Sequence, residues 1–316
     1  MGWLKAMVSC FSQRNRRLPE LALLTTLFTA LIWTDVAWGA PVTFNTALPV
    51  SKGHFVLREQ FLFRRSGDDP SNANREVDVY AVVSALGYGI DRRLALFGVL
   101  PYLDKRLSLE MDGRRITRET QGIGDLTVFG RYTVFQDDAP GRTFRVAPFL
   151  GTEIPTGENT ASDKFGRLPP ALQLGSGSWD PFAGVVTTYQ TLGYQIDAQA
   201  RYQDHTEADG VEIGNLAEVD ASLQYRILPG ELGGGGVPAF LYGVLEANLV
   251  QQGKTRIEGN EDADSGGTTL FLAPGLQYVT TRWILETAVQ VPVVQNLNGD
   301  ALETGFVFRA GFRVNL

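Results

Sequence analysis

The stretch ETGFVFRAGFRVNL, residues 303–316, alternates with a period of two up to the last residue given. Thr304, Phe306, Phe308, Ala310, Phe312, Val314 and Leu316 fall on one face, and Glu303, Gly305, Val307, Arg309, Gly311, Arg313 and Asn315 on the other. Neighbouring side chains of a strand point to opposite sides, so one face is apolar and aromatic while the other holds the charges. A soluble sheet rarely ends so abruptly in apolar residues. The closing strand of an outer-membrane barrel does, because one face meets lipid and the other the lumen. Leu316 takes the place of the usual terminal aromatic.

The beginning of the chain agrees. Lys5, Arg14, Arg16 and Arg17 precede the apolar run LALLTTLFTALIW, and Ala37 and Gly39 supply small residues at the minus-three and minus-one positions of a cut before Ala40. Residues 1–39 are therefore expected to be a cleaved export signal, and residues 40–316 the folded barrel. The alternative, an anchoring helix, calls for about 20 apolar residues, more than this run offers. Cys10, the only cysteine, would leave with the signal, and it lies ahead of the apolar core, which argues against a lipoprotein cut there.

What remains has no disulfide and no thiolate metal site. Four basic and two acidic residues depart with the leader, so the formal charge of −7 becomes more negative. An acidic chain without basic clusters is not expected to bind nucleic acid. Mean hydropathy is close to zero, as in a barrel whose lipid-facing residues are diluted one to one by lumen-facing residues.

Alternation bounded by turn signals marks twelve strands, near 54–65, 76–88, 93–105, 122–135, 143–154, 178–190, 193–203, 215–228, 239–251, 268–279, 282–293 and 303–316. LAEVDASLQYRIL (216–228) is the clearest. Ala217, Val219, Ala221, Leu223, Tyr225 and Ile227 oppose Glu218, Asp220, Ser222, Gln224 and Arg226. YQIDAQARYQ (194–203) repeats the pattern, whereas Glu59 interrupts the apolar face of the first strand. Connections near 66–75, 106–121, 155–177, 204–214, 252–267 and 294–302 are long and polar, and those between are mostly short. Outer-membrane barrels keep short turns in the periplasm and long loops outside. Two inner turns, QDDAPGRT and PGELGGGGVP, are longer, and the Gly233–Gly236 run reads as a flexible connection, not a phosphate cradle.

A soluble sandwich or a pair of barrels would also alternate. Neither calls for an export signal, nor for aromatics at the ends of apolar faces, such as Trp179, Tyr189, Tyr194, Tyr202, Tyr225 and Trp283, where an interfacial girdle would sit. The fold expected is an all-β, transmembrane antiparallel up-and-down barrel of about twelve strands.

Four stretches then carry a resemblance: GIGDLTVFGRYTVF (122–135), GTEIPTGE (151–158), GSGSWDPFAGVVTTY (175–189) and the closing strand. In these the sequence resembles the proteobacterial outer-membrane proteins grouped with the phenol meta-degradation pathway, labelled simply transporters. The resemblance implies a pore or uptake protein for small, aromatic or hydrophobic, compounds, but it does not transfer a substrate. The motifs also read as punctuation of the fold: Gly122, Gly124 and Asp125 at a bulged strand entry, Pro155, Thr156 and Gly157 at a strand end, and Pro181 at a strand start beside Trp179.

A barrel of about twelve strands lies between the filled interior of eight strands and the open channel of sixteen, so any pore is expected to be narrow. Polar parity nominates Asp125, Arg131, Arg145, Glu153, Asp180, Asp197, Arg201, Glu218, Asp220, Arg226, Glu246, Glu286, Arg309 and Arg313 as lumen-lining, with Phe129, Phe149, Phe182, Tyr242 and Phe271 on the same side. The signs are mixed, unlike the single-sign ring of a strongly selective channel. If the 204–214 loop joins neighbouring strands, Arg201 stands opposite Glu218 and Gln199 opposite Asp220.

No catalytic residue is expected. A barrel hydrolase needs a serine and histidine together, and the two histidines, His54 and His205, fall at a strand start and a loop start. The acidic loop EGNEDADSGG (258–267) lacks calcium-loop spacing, so neither a metal nor a cofactor is expected. The chain therefore reads as a channel for passive uptake of small solutes in the outer membrane of a Gram-negative bacterium. The competing reading is a non-conducting structural or surface-binding barrel, its lumen closed by side chains or by the 155–177 loop. Expected partners are outer-membrane lipids and lipopolysaccharide, the barrel-assembly machinery through the closing strand, and a small-molecule solute.

Overall fold

A computed structural model describes residues 39–231 and 239–316. The expected signal peptide, apart from Gly39, and the Gly233–Gly236 run lie outside these residues. Twelve strands close into one antiparallel barrel: β1 Phe55–Gly67, β2 Glu76–Gly89, β3 Leu94–Met111, β4 in three pieces (Arg114–Ile123, Leu126–Tyr132 and Phe135–Ala139), β5 Arg142–Ile154, β6 Asp180–Thr191, β7 Tyr194–Gln203, β8 Leu216–Leu228, β9 Phe240–Gln252, β10 Gly267–Val279, β11 Trp283–Leu297 and β12 Glu303–Asn315. Each strand pairs with the next in sequence, and β12 closes on β1. At that seam Leu316 N–H donates to Phe55 O at 2.8 Å and Phe55 N–H to Leu316 O at 3.0 Å. No edge is left, as a barrel in lipid requires.

Alternation decides which face is which. On β5 to β9, Leu150, Ile196, Val219, Leu223, Tyr225 and Leu245 stand exposed outward, while Gln195, Asp197, Gln199, Asp220, Gln224 and Glu246 are buried inward. The short turns repeat one device. Thr191 Oγ1 accepts from Gly193 and Tyr194 N–H, and Thr280 Oγ1 accepts from Arg282 and Trp283 N–H. A hydroxyl bonding backbone two or three residues on holds such turns tight. Of the aromatics expected in the girdle, Trp179, Tyr202 and Tyr225 are exposed, Tyr189 lies 6.0 Å from Tyr194 ring to ring, and Trp283 lies 5.5 Å from Tyr278. Glu59, on the outward face, accepts a hydrogen bond from Ser84 Oγ at 2.8 Å.

Three expectations need correction. The 106–121 stretch is no loop: β3 and β4 continue as a ladder to a turn at Asp112-Gly113, where both residues have positive φ. An Asp-Gly pair suits that hairpin turn. The 136–143 stretch is likewise strand, as β4 and β5 pair up to Ala139↔Arg142. Finally, Thr304 points inward and accepts from Arg64 Nη2 at 2.8 Å. A register shift opposite Arg65/Ser66 leaves Gly305 unpaired and reverses the parity on its far side.

Candidate functional site

The lumen holds residues 39–52, an irregular stretch without strand pairing until its end. It enters at the short-turn rim, where Gly53 N–H donates to Gly89 O at 2.7 Å. Leu48 and Thr46 offer their carbonyls to Arg131, Leu48 O at 2.6 Å from Nη2. Thr46 Oγ1 meets Asp197 Oδ1 at 3.1 Å and Thr188 Oγ1 at 3.0 Å. At mid-barrel Glu246 accepts from Val42 N–H at 2.7 Å, Thr43 N–H at 2.9 Å and Thr43 Oγ1 at 2.5 Å. Arg58 and Gln60 donate to Val42 O from the other side, at 2.6 and 3.0 Å. The segment then folds back, and Gln277 Nε2 donates to Ala40 O at 2.8 Å. Its apolar side chains fill gaps in the wall: Val42 packs on Val244 and Ala288, and Ala47 on Ala147, Phe149, Phe182 and Val186. Val42 and Ala47 are fully buried.

Each inward charge has a defined place. Asp197, Glu246 and Glu286 lie beneath the segment, and Glu286 also takes Arg58 Nε at 2.7 Å and Arg313 Nη2 at 3.4 Å. Arg201 and Glu218 face each other in the ladder and pair at 2.8 Å, and Gln199 stands opposite Asp220. Arg309 donates to Gln60 and Gln290. A cavity of about 1030 Å³ runs beside the segment, bordered by Phe129, Arg131, Phe149, Phe182, Arg201, Glu218, Asp220, Phe271, Arg309 and Arg313. It reaches from Gly267, Leu297 and Ala301 at the loop rim to His54, Phe55 and Asn315 at the short-turn rim. Phe97 and Phe129 stack at 4.7 Å, and Arg131 and Arg201 lie over Phe97 and Phe182 at 4.8 and 4.6 Å.

The remaining candidates do not border that cavity. Arg145 binds Asp138 near the short-turn rim, Arg226 donates to Leu192 O there, and Glu153 accepts from Gln203. Tyr242 packs on Phe240 beside Val279 and Ile284. Asp125 and Asp180 brace loops. Asp125 accepts from Gly157 N–H at 2.8 Å and Ser176 N–H at 2.6 Å, and Thr156 Oγ1 donates to Gly124 O at 3.0 Å. Asp180 accepts from Ser178 Oγ and Thr206 N–H. The three resembling motifs thus meet at one clamp. It holds the 155–177 loop, whose Leu168 and Leu172 cap the inward Leu107 at the mouth and whose Ala171 borders the cavity.

Nothing in the spacing of residues 40–52 marks them as the occupant, since they neither alternate nor carry charge before Lys52. Arg58, Gln60, Thr188 and Gln277, which hold them, share the inward parity of the nominated charges; that parity is the signal that reaches them. His205 Nδ1 lies 3.0 Å from Gly214 O, and His54 borders the cavity at the other rim. In the acidic loop, Asp262 and Asp264 accept backbone N–H groups. Among the described residues no group of three or more His, Cys, Asp or Glu could hold a metal.

A family model described as "Putative MetA-pathway of phenol degradation" matches residues 53–302. The chain belongs to this family. Among solved structures, it is similar to the COG4313 outer membrane channel from Pseudomonas putida F1, with a TM-score of 0.65 and 16% identity over 88% of this chain and 100% of that one. It is more distantly similar to the β domain of the Bordetella autotransporter BrkA, with a TM-score of 0.44 and 13% identity over 84% of this chain and 100% of that one. The first of these shares the barrel fold. A search of curated proteins gave no match.

Proposed function

We propose that the protein is a passive channel in the outer membrane of a Gram-negative bacterium, admitting small solutes and held mostly shut by residues 40–52. The observation that carries this reading is the cavity of about 1030 Å³ that passes the segment and reaches both rims. The family supports uptake linked to ring compounds. The cavity wall fits that class: Phe97, Phe129, Phe149 and Phe182 offer ring faces and edges, and Arg131 and Arg201 offer guanidinium groups. An aromatic acid would find both kinds of partner. The reading assigns no catalytic residue, no cofactor and no nucleic acid. Lipid and lipopolysaccharide surround the apolar belt, and β12 serves as the assembly signal.

The hydrogen bonds on residues 40–48 favour a second reading, a non-conducting barrel with a structural or surface role. Planar-bilayer recordings separate the two. The channel reading expects rare, small unitary currents from the whole protein and steady, larger ones after deletion of Pro41–Val50. A folded deletion variant that stays silent would leave only the second reading. Uptake of benzoate-like acids, compared with neutral sugars of equal size, tests the substrate class.

A further inference from the structure

Three buried glutamines surround Gly39, and their chemistry asks for a cation. Carbon placed on Gly39 Cα would lie 2.9 Å from Gln224 Oε1, 3.1 Å from Gln277 Oε1 and 3.7 Å from Gln195 Oε1. All three side chains are at most 2% exposed. Their orientations are fixed from behind, because each amide nitrogen donates to a carboxyl group. Gln195 Nε2 lies 2.7 Å and Gln224 Nε2 3.4 Å from Asp197 Oδ2, and Gln277 Nε2 lies 3.0 Å from Glu286 Oε2. An amide with its nitrogen so committed turns its oxygen the opposite way, here toward Gly39. Gln195 Oε1 already accepts from Gln190 Nε2 at 2.8 Å. Among the described residues Gln224 Oε1 and Gln277 Oε1 are buried acceptors with no hydrogen-bond partner. Buried acceptors are nearly always satisfied, so two aimed at one point need a donor.

We propose that the donor is the α-ammonium of Ala40, created when the export signal is removed after Gly39. An ammonium has three N–H donors and no acceptor, which suits a cage made of oxygens. Its nitrogen is two bonds from the Cα now inside the cage, and departure of Gly39 clears the space. Gln277 would bind Ala40 twice, through its amide nitrogen on the carbonyl, at 2.8 Å, and through its oxygen on the ammonium. Asp197 and Glu286 lie behind the cage and accept from its amide nitrogens. The cage is thus a receptor for the chain's own processed end, and export processing completes the seating of the segment in the lumen. This does not depend on whether the barrel conducts.

The test uses mature protein purified from outer membranes in detergent. Mass spectrometry reads the first residue, and acetylation by an N-hydroxysuccinimide ester reads the reactivity of its α-amine, with the same chain unfolded in urea as reference. Ala40 should be the first residue, and its amine should react at least tenfold more slowly in the folded barrel. The Gln224→Leu/Gln277→Leu double variant keeps the volume and removes the oxygens; it should bring the folded rate to within threefold of the unfolded one. Should that variant not fold, a refolded chain beginning at Val36 serves instead, since its amine is four residues removed from Ala40 and should react at the faster rate. A different first residue, a fast-reacting amine in the folded wild type, or protection unchanged in the variant would each overturn the proposal.

Discussion

Replacing Glu246 by glutamine should unseat the segment by an amount that can be worked from its bonds. The carboxylate accepts two backbone N–H groups and the Thr43 hydroxyl within 2.9 Å. Glutamine keeps one oxygen and presents an NH₂ to donors on the other side, so at least one N–H is left facing a donor. A hydrogen bond to a charged group contributes about 1.5–3 kcal/mol, and one to a neutral group about half of that. Losing one bond and weakening the others comes to roughly 3–4 kcal/mol in the seated state. Against this, the glutamine no longer pays for burying a charge, which leaves a net effect of about 2 kcal/mol. At about 1.4 kcal/mol per decade the ratio of unseated to seated barrels rises roughly 30-fold. Single-channel recording reads that ratio as open probability. Should Glu246→Gln change it less than threefold while deletion of Pro41–Val50 opens the barrel, the hold on the segment resides elsewhere, and the assignment of Glu246 as its anchor is wrong.

Other consequences follow from the loops and the wall. Asp125→Ala strands the N–H groups of Gly157 and Ser176, at a cost of about 2–4 kcal/mol; the 155–177 loop should become the first site of limited proteolysis, and an unchanged digest would refute the clamp. The Arg201–Glu218 pair is partly exposed, 22% and 23% at the side chains, so a double-mutant cycle on unfolding should return only about 0.5–1 kcal/mol. The side-chain hydrogen bonds from Arg75 hold the Asp69 carboxyl well below its ordinary 3.8. A depressed pKa contributes order that is complete above the unfolded value and fades below it. The 68–75 loop should therefore keep its conformation down to about pH 4 and loosen only under stronger acid, whereas Asp69→Asn should loosen it at pH 7; amide exchange of Ser71 and Arg75 checks both.

The barrel was legible because every wall residue has one of two environments. LAEVDASLQYRIL matches β8 residue for residue, and its pairing with β7 follows from the loop that joins them: Gln203↔Leu216 sets Arg201↔Glu218. Features that break the period of two were less legible. Asp112-Gly113 is a hairpin turn placed among charged residues, and the charges on Arg114, Arg115 and Arg118 disguised a ladder as a loop. Gly305 shifts the parity at Thr304 because a bulge leaves no hydrophobic signature. The occupant of the lumen was hidden for a different reason. Residues 40–48 are held mainly through their own N–H and C=O groups, which every residue possesses, so no side-chain pattern announces them. The complement was visible in the wall, as a run of inward Gln, Thr, Asn and Glu whose purpose only the seated segment reveals.

That division of labour bears on how a closed barrel can open. A polar lumen without the segment would fill with water, so every bond from Arg131, Glu246 or Gln277 to the segment replaces a bond to water and contributes only its net difference. The apolar contacts of Val42 and Ala47 add to this, but both are small, and Ala47 offers a single methyl group. The hold is thus the sum of several modest terms, each reversible in the presence of water from the neighbouring cavity. A hydrophobic plug would have been harder to release once formed, and a segment fixed by salt bridges would have needed charges of its own. With no charged side chain between Ala40 and Ser51, and with the proposed α-ammonium held by neutral amide oxygens, the segment would leave without carrying an ion from the wall. Arg58 and Arg313 both pair with Glu286 through contacts that do not involve the segment, so the wall would keep its shape for the segment's return.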